Sequence, residues 1–331
     1  MQKIIPEKLK QGNEIRIIAP SRSMTILNDE TIKRAITNLE SLGLKVSFGA
    51  NVKKEESAFY GCASIEERVN DLEEAFKDQN VKAILTVIGG FNVNQIIDKI
   101  DYNIIKNNPK IICGYSDITA LLHAIYKKTG LITYYGPHFS SFGMKKGLEY
   151  TLDYFKKMFF ESNSIKIQAS SLWSNDLWFI DQEKRDFIKN EGMQIINKGT
   201  CEGRIIGGNL CTLNLLQGTP YFEDEKEIIL FIEEDGGADK NFLLEFDRNL
   251  VSLIQCLKVE NIKGIVIGRT EKNTEMTFEK WQTLFKTKKE LGNIPIIINS
   301  DFGHTTPQFT FPIGGNVNLT VTEQIEIEIK D

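Results

Sequence analysis

Short apolar runs and helical stretches alternate through the first 135 residues, an order that few folds accept. Residues 14–19 form an apolar run that stops at Pro20-Ser21, a turn pair. Residues 31–42 carry helical spacing and end at Gly43, and Lys45–Phe48 reads as the next strand. Residues 64–76 read as a helix with Ser64 as N-cap and Glu67 three positions on, a capping box. Residues 81–87 are a buried strand that runs into Gly89-Gly90, and residues 94–100 read as a helix start. Residues 110–113 are a further strand, 117–127 a helix with Gly130 past its end, and 131–135 a strand. This order predicts an α/β fold with a mostly parallel, doubly wound, Rossmann-like N-terminal sheet and helices on both faces. Ligands of such sheets bind at the carboxyl ends of the strands.

Beyond residue 161 the pattern changes. Residues 161–200 are polar, hold Trp173 and Trp178, and include a charged run over 181–186. They read as a connecting segment with a long surface loop, of the kind that is often functional. Residues 203–206, 227–232, 264–268, 295–299 and 316–329 read as extended, with helices near 244–257 and 278–291. The expected division is an N-terminal α/β domain over 1–165, a connecting segment over 166–200 and a smaller C-terminal α/β domain over 201–331.

Composition narrows the partners. The 331 residues are 41% hydrophobic, enough for a sizeable core. Forty Lys and Arg stand scattered among 45 acidic residues, a net charge of −5 with no basic block, which argues against a nucleic-acid polymer. The first residues lack a signal-peptide core, and no run reaches the 18 apolar residues of a membrane span. A cytoplasmic location without membrane contact is expected. Five cysteines, odd in number and widely spaced without C-x-x-C, give no disulfide framework and no zinc pattern, so no metal is expected. The three histidines are His123, His138 and His304.

The stretch Ile111-Ile112-Cys113-Gly114-Tyr115-Ser116-Asp117-Ile118 joins a buried strand to a helix through Gly-x-Ser. That is the layout of a nucleophile elbow, although Ile118 replaces the second glycine of the full pattern. Gly114 relieves crowding in the turn, and the helix start offers N–H groups to an oxyanion. The alternative is that Ser116 merely caps the helix. His123 lies on the same predicted helix, roughly 10 Å along the axis, and cannot reach Ser116. His138 follows Gly136-Pro137 and can line a cleft or pack. His304 sits in a polar, glycine-containing loop after a buried strand, where catalytic groups collect. A triad also needs an acid that orients the imidazole. Glu233 is the first residue after the apolar run 228–232, and Glu234 is its competitor, since adjacent side chains face opposite ways. Gly89 and Gly90 let backbone approach a ligand closely; Gly90 and Asp117 can supply the two oxyanion N–H groups.

These segments, with Ile18-Ala19-Pro20-Ser21, Ile88-Gly89-Gly90-Phe91-Asn92-Val93-Asn94, Tyr135-Gly136-Pro137-His138, Gly207-Gly208-Asn209-Leu210, Phe231-Ile232-Glu233-Glu234 and Asp301-Phe302-Gly303-His304-Thr305-Thr306-Pro307, resemble the LD-carboxypeptidase family of serine peptidases. The likeness is to its branch of microcin C immunity proteins, the MccF-like peptidases, and covers nearly the whole chain. It implies a Ser116–His304–Glu233 triad at an interdomain cleft, a homodimer, and no metal or organic cofactor. It also implies Gly89, Asn92 and Asn209 as substrate-binding positions, with Trp173 or Trp178 stacking on a nucleotide base. The middle position of Asn92-Val93-Asn94 departs from the Asn-Ser-Asn of that branch. The implied substrate is a small peptidyl- or aminoacyl-nucleotide amide. The alternatives are a murein tetrapeptide cut at an L–D bond, or a non-catalytic ligand-binding protein on the same fold.

Overall fold

The alternation in the first half builds one sheet, and the strand-rich second half builds another. The computed structural model describes residues 2–56, 59–161, 164–222 and 225–330. The first half runs β1 (Glu14–Ile18), α1 (Asp29–Ser41), β2 (Lys45–Phe48), α2 (Ile65–Lys77), β3 (Val81–Thr86), α3 (Tyr102–Asn107), β4 (Ile111–Gly114), α4 (Thr119–Thr129), β5 (Thr133–Tyr135) and α5 (Glu149–Phe160). The second half runs β6 (Ile165–Ile167), β7 (Leu172–Trp173), β8 (Ile188–Lys189), β9 (Gln194–Asn197), β10 (Gly199–Asn209), α6 (Leu210–Asn214), β11 (Ile228–Glu233), α7 (Phe242–Leu257), β12 (Ile262–Gly268), α8 (Phe278–Lys286), β13 (Ile296–Ser300), β14 (Phe311–Ile313), β15 (Asn316–Val321) and β16 (Ile325–Lys330).

The first sheet has the order β14-β5-β4-β3-β1-β2. Its strands β1 to β5 are parallel, and β14 lies antiparallel to β5 through Phe311↔Tyr135 and Ile313↔Thr133. The second sheet has the order β6-β16-β15-β10-β11-β12-β13-β9, with β10 to β13 parallel and antiparallel strands on both flanks. The central parallel strands β3, β4, β11 and β12 are buried on both faces and read as near-continuous apolar runs, as Ile228–Ile232 does. Both parallel sets end at the seam between the sheets. Tyr135 closes β5, Ser116 follows β4, Asn209 closes β10 and Glu233 closes β11.

Local chemistry sets the helix ends. Ser64 and Glu67 form the expected reciprocal capping box on α2. Gly130 ends α4 in the left-handed conformation at φ 79°. Residues Ala120 to Tyr126 of α4 are all buried, because the helix lies between the sheets, touching β4 and β5 on one side and β10 on the other. His123 on this helix bonds the Gly207 carbonyl at 2.7 Å, a packing role. Residues 94–100 depart from the expected helix. They hold a short 3₁₀ turn, Val93–Gln95, and the helix starts only at Tyr102, capped by Asp101. The N–H groups of Asn92 and Val93 bond the distant Asp117 carboxylate at 2.9 and 3.0 Å, which fixes this loop by a tertiary contact.

Aromatic side chains join the sheets beneath the seam. Phe311 of β14 lies 5.1 Å from Tyr135 of the first sheet, 5.1 Å from Phe231 of the second and 5.2 Å from Phe302. All four are fully buried. Phe311→Ala should destabilise the protein by about 3–5 kcal/mol, since the cavity opens between two sheets that cannot easily collapse. Equilibrium denaturation in urea measures this; a loss under about 1 kcal/mol would mean that the ring does not tie the sheets together. Among the described residues no helix is long and apolar enough to cross a membrane.

Candidate active site

Ser116 stands directly after β4 with φ at +59°, in the left-handed region that side chains avoid. Such a conformation costs on the order of 1–2 kcal/mol and persists only where neighbours hold it. The neighbours here are the Tyr135 hydroxyl, which accepts the Ser116 N–H at 3.2 Å, and the Thr119 hydroxyl, which donates to the Ser116 carbonyl at 2.7 Å. Gly89 makes the approach possible: a Cβ there would sit 3.0 Å from Ser116 Cβ, 3.1 Å from its Oγ and 3.4 Å from Asp117 N. Gly114 is equally constrained, since its Cβ would fall 2.3 Å from Thr86 Oγ1.

His304 reaches this serine from the loop after β13. Its Nε2 lies 3.1 Å from Ser116 Oγ, and its Nδ1 lies 2.7 Å from Glu233 Oε2. Glu233 is 1% exposed, and its Oε1 accepts from the Tyr135 hydroxyl at 2.6 Å and from Asn209 Nδ2 at 3.2 Å. Burial works against charge on Glu233, but His304 and these donors outweigh it, so its pKa lies below the ordinary carboxyl value. Burial likewise opposes charge on His304. The Glu233 carboxylate, by charge and hydrogen bond, more than offsets it, with Asp235 and Glu271 adding, and the imidazole pKa lies above its ordinary value. An ionised Glu233 only accepts hydrogen bonds, so Nδ1 carries the proton and Nε2 of a neutral ring accepts from Ser116.

Glu234 takes no part in this chain. Its oxygens accept from Asn209 Nδ2 at 3.2 Å and from the Cys211 N–H at 2.9 Å, and burial pushes its pKa up to about 7. His138 is stacked on Tyr115 at 4.0 Å, with Nε2 3.1 Å from Tyr115 N. Burial lowers its pKa to about 3, so it is a neutral prop for the Tyr115 ring. That ring meets His304 edge-on at 5.4 Å.

A cleft of about 440 Å³ is lined by His304 and by Tyr115, the residue before Ser116. Its apolar lining comprises Leu177, Trp178 and Phe179 of the tryptophan loop together with Ile26, Leu27, Ile88 and Met144. A larger hollow of about 680 Å³ beside Glu202 and Arg204 has no serine, cysteine or histidine in its wall.

Three of the expected substrate positions lie elsewhere. Asn92 donates from its side-chain amide to the Tyr60 carbonyl at 3.0 Å and is 7% exposed, so it braces the glycine loop. Asn209 is 1% exposed and spends its amide on Glu233, Glu234 and Thr212, where it positions the acid and caps α6. Trp173 is outside the cleft lining; its ring lies 5.0 Å from the Arg269 guanidinium and 5.9 Å from Lys272 Nζ. Its strand leads into Ser174, which pairs with Thr306 at 2.7 and 3.0 Å and so docks the tryptophan loop on the His304 loop. Gly90 stands at φ +151° against Ser21 and Arg22, on the Ser116 side of the cleft.

The sequence carries no role for Tyr135, although its place at the end of a buried strand is a signal. Nor does it mark the side chain of Asp117. That carboxylate is 4% exposed and accepts from Ser21 Oγ at 2.6 Å and from two loop N–H groups, which ties the glycine loop to the serine turn.

Comparison with known proteins fits this geometry. Residues 15–136 match the LD-carboxypeptidase N-terminal domain and residues 202–319 the LD-carboxypeptidase C-terminal domain, more than half of the chain together. The chain is 51% identical to a putative carboxypeptidase of Bacillus subtilis, YocD, over 94% of each protein. It is 30% identical to the microcin C7 self-immunity protein MccF of Escherichia coli, over 97% of this chain and 96% of that one. The crystal structure of an MccF-like protein from Bacillus anthracis superposes with a TM-score of 0.97 at 52% identity, covering 99% of both chains. The chain thus belongs to the LD-carboxypeptidase family, on its MccF-like branch, and is a hydrolytic peptidase.

Proposed function

We propose that the protein hydrolyses the amide of a small peptidyl- or aminoacyl-nucleotide substrate through a Ser116–His304–Glu233 triad. The observation that carries this is the unbroken chain of contacts across the seam, 3.1 Å from Oγ to Nε2 and 2.7 Å from Nδ1 to Oε2. His304 Nε2 takes the hydroxyl proton as Ser116 Oγ attacks the carbonyl carbon. Glu233 holds the ring and stabilises its cation. The N–H groups of Gly90 and Asp117 receive the oxyanion, with Gly89 leaving room for the carbonyl. His304 then gives its proton to the leaving nitrogen as the C–N bond breaks. Water, deprotonated by the same ring, releases the acyl group as a carboxylic acid and restores the serine.

The aromatic wall favours a nucleotide on the leaving side, with Trp178 as the stacking ring in place of Trp173. MccF of Escherichia coli has been solved with aspartyl sulfamoyl adenosine bound. A second substrate, a murein tetrapeptide cut at its L–D bond, draws support from a 29% identical Bacillus subtilis relative named a probable murein peptide carboxypeptidase. Incubating the protein with aspartyl sulfamoyl adenosine and, separately, with a muropeptide tetrapeptide discriminates them. The first should be cut and the second left intact; the reverse outcome replaces the nucleotide reading with the murein one. The family resemblance further supports a homodimer without metal or organic cofactor. We propose 1–165 and 201–331 as its two lobes, with 166–200 as the connecting segment.

A further inference from the structure

We infer that the cleft is polarised for a dipolar ligand, with Glu271 taking an ammonium group on the α-carbon of the acyl residue and Arg22 facing the anionic leaving side. This rests on the hydrolytic reading above and adds a specificity residue to it.

Both charged side chains line the same cleft as His304 and Tyr115. They come from opposite lobes: Glu271 follows β12 of the second sheet, and Arg22 follows β1 of the first. Among the described residues neither forms an ion pair. Glu271 Oε2 accepts the Gly236 N–H, and no hydrogen bond to its Oε1 forms among the described residues. The cations beside it in sequence are engaged elsewhere. Arg269 pairs with Asp301 at 3.0 Å, and Lys272 pairs with Asp186 at 3.1 Å. Burial opposes charge on Glu271; the Gly236 N–H and His304 favour it, Asp235 and Glu233 act against it, and the net effect is a pKa above the ordinary carboxyl value. A half-buried carboxylate with one committed oxygen and no ion-pair partner among the described residues is costly until a cation arrives.

Positive character enters the same cleft from the first lobe. Arg22 packs at Gly90, whose Cβ position lies 2.5 Å from Arg22 Cγ, next to the N–H groups proposed for the oxyanion. A substrate with its ammonium at Glu271 and its anion towards Arg22 would therefore lie past His304 in one direction only. An aminoacyl amide with an anionic leaving group has that charge order.

The test compares two amides that differ in one group: aspartyl sulfamoyl adenosine and its des-amino, succinyl counterpart. Wild type should prefer the free amine by about 10- to 100-fold in kcat/KM, the range of a charged hydrogen bond. Glu271→Gln, which can still accept from Gly236, should bring that ratio close to one, mainly through KM. Glu271→Asp should restore part of the preference, and it serves as the readout should the glutamine variant not fold. Equal turnover of both amides by wild type, or an unchanged ratio in the folded variants, overturns the assignment while leaving the hydrolytic reading in place. If wild type cuts neither amide and a fluorophosphonate fails to label Ser116, the hydrolytic reading fails and takes this assignment with it.

Discussion

Ser116→Ala is expected to lower kcat/KM by on the order of 10³-fold or more while the fold stays intact. Among the described residues the serine Oγ makes one hydrogen bond, to His304 Nε2, while the turn is held by bonds to the Ser116 backbone from Tyr135 and Thr119. Alanine keeps the Cβ that the left-handed turn already tolerates, so the strain is unchanged. Steady-state kinetics beside a thermal melt separates the two effects. A variant that melts like wild type and retains its rate would remove Ser116 from the reaction.

The second large effect is expected at Glu233. Glu233→Gln keeps the shape but loses the charge, and the amide can donate to Nδ1, which turns the imidazole to the wrong tautomer. Turnover at neutral pH should fall by about 10³- to 10⁴-fold, as for the equivalent change in other triads. The pH profile should change as well. In wild type the imidazole must be neutral to accept the serine proton, and Glu233 raises its pKa above the ordinary value. The rate of wild type should therefore climb with rising pH, through a pKa above that of a free histidine. Without the carboxylate the cation loses its partner, so the residual activity of the variant should reach its plateau at lower pH. A limb that stays in place would show that Glu233 is not the group acting on His304.

Much of this was legible because it is local. The strand-Gly-x-Ser-helix stretch fixes a turn within eight residues, and the capping box at Ser64 and Glu67 names its own helix start. Strands β1 to β4 follow from short runs rich in apolar residues with turn residues after them. Long-range pairings were not legible. Phe311–Ile313 joins the first sheet through β5, where Phe311 pairs with Tyr135, 176 residues earlier. The helix α5 has Leu148 at its N-cap with no side-chain cap, so it announces no start. The same limit holds within the site. Ser116, His304 and Glu233 stand at strand exits, where position alone marks them. Asn209 and Asn92 also stand at or after strand ends, yet their amides bond inward, and only the partners in space reveal it. Trp173 and Trp178 are five positions apart in one polar stretch; pairing of Leu172 and Trp173 with β8 carries the first ring towards Arg269 and leaves the second on the cleft.

The central claim is that three side chains from two lobes act as one unit on a carbonyl. Labelling with a fluorophosphonate, followed by peptide mapping, tests it most directly. The expected result is a single adduct on Ser116 that forms quickly in wild type and is lost in His304→Ala. An active protein that takes no label, or takes it at another serine, would contradict the account.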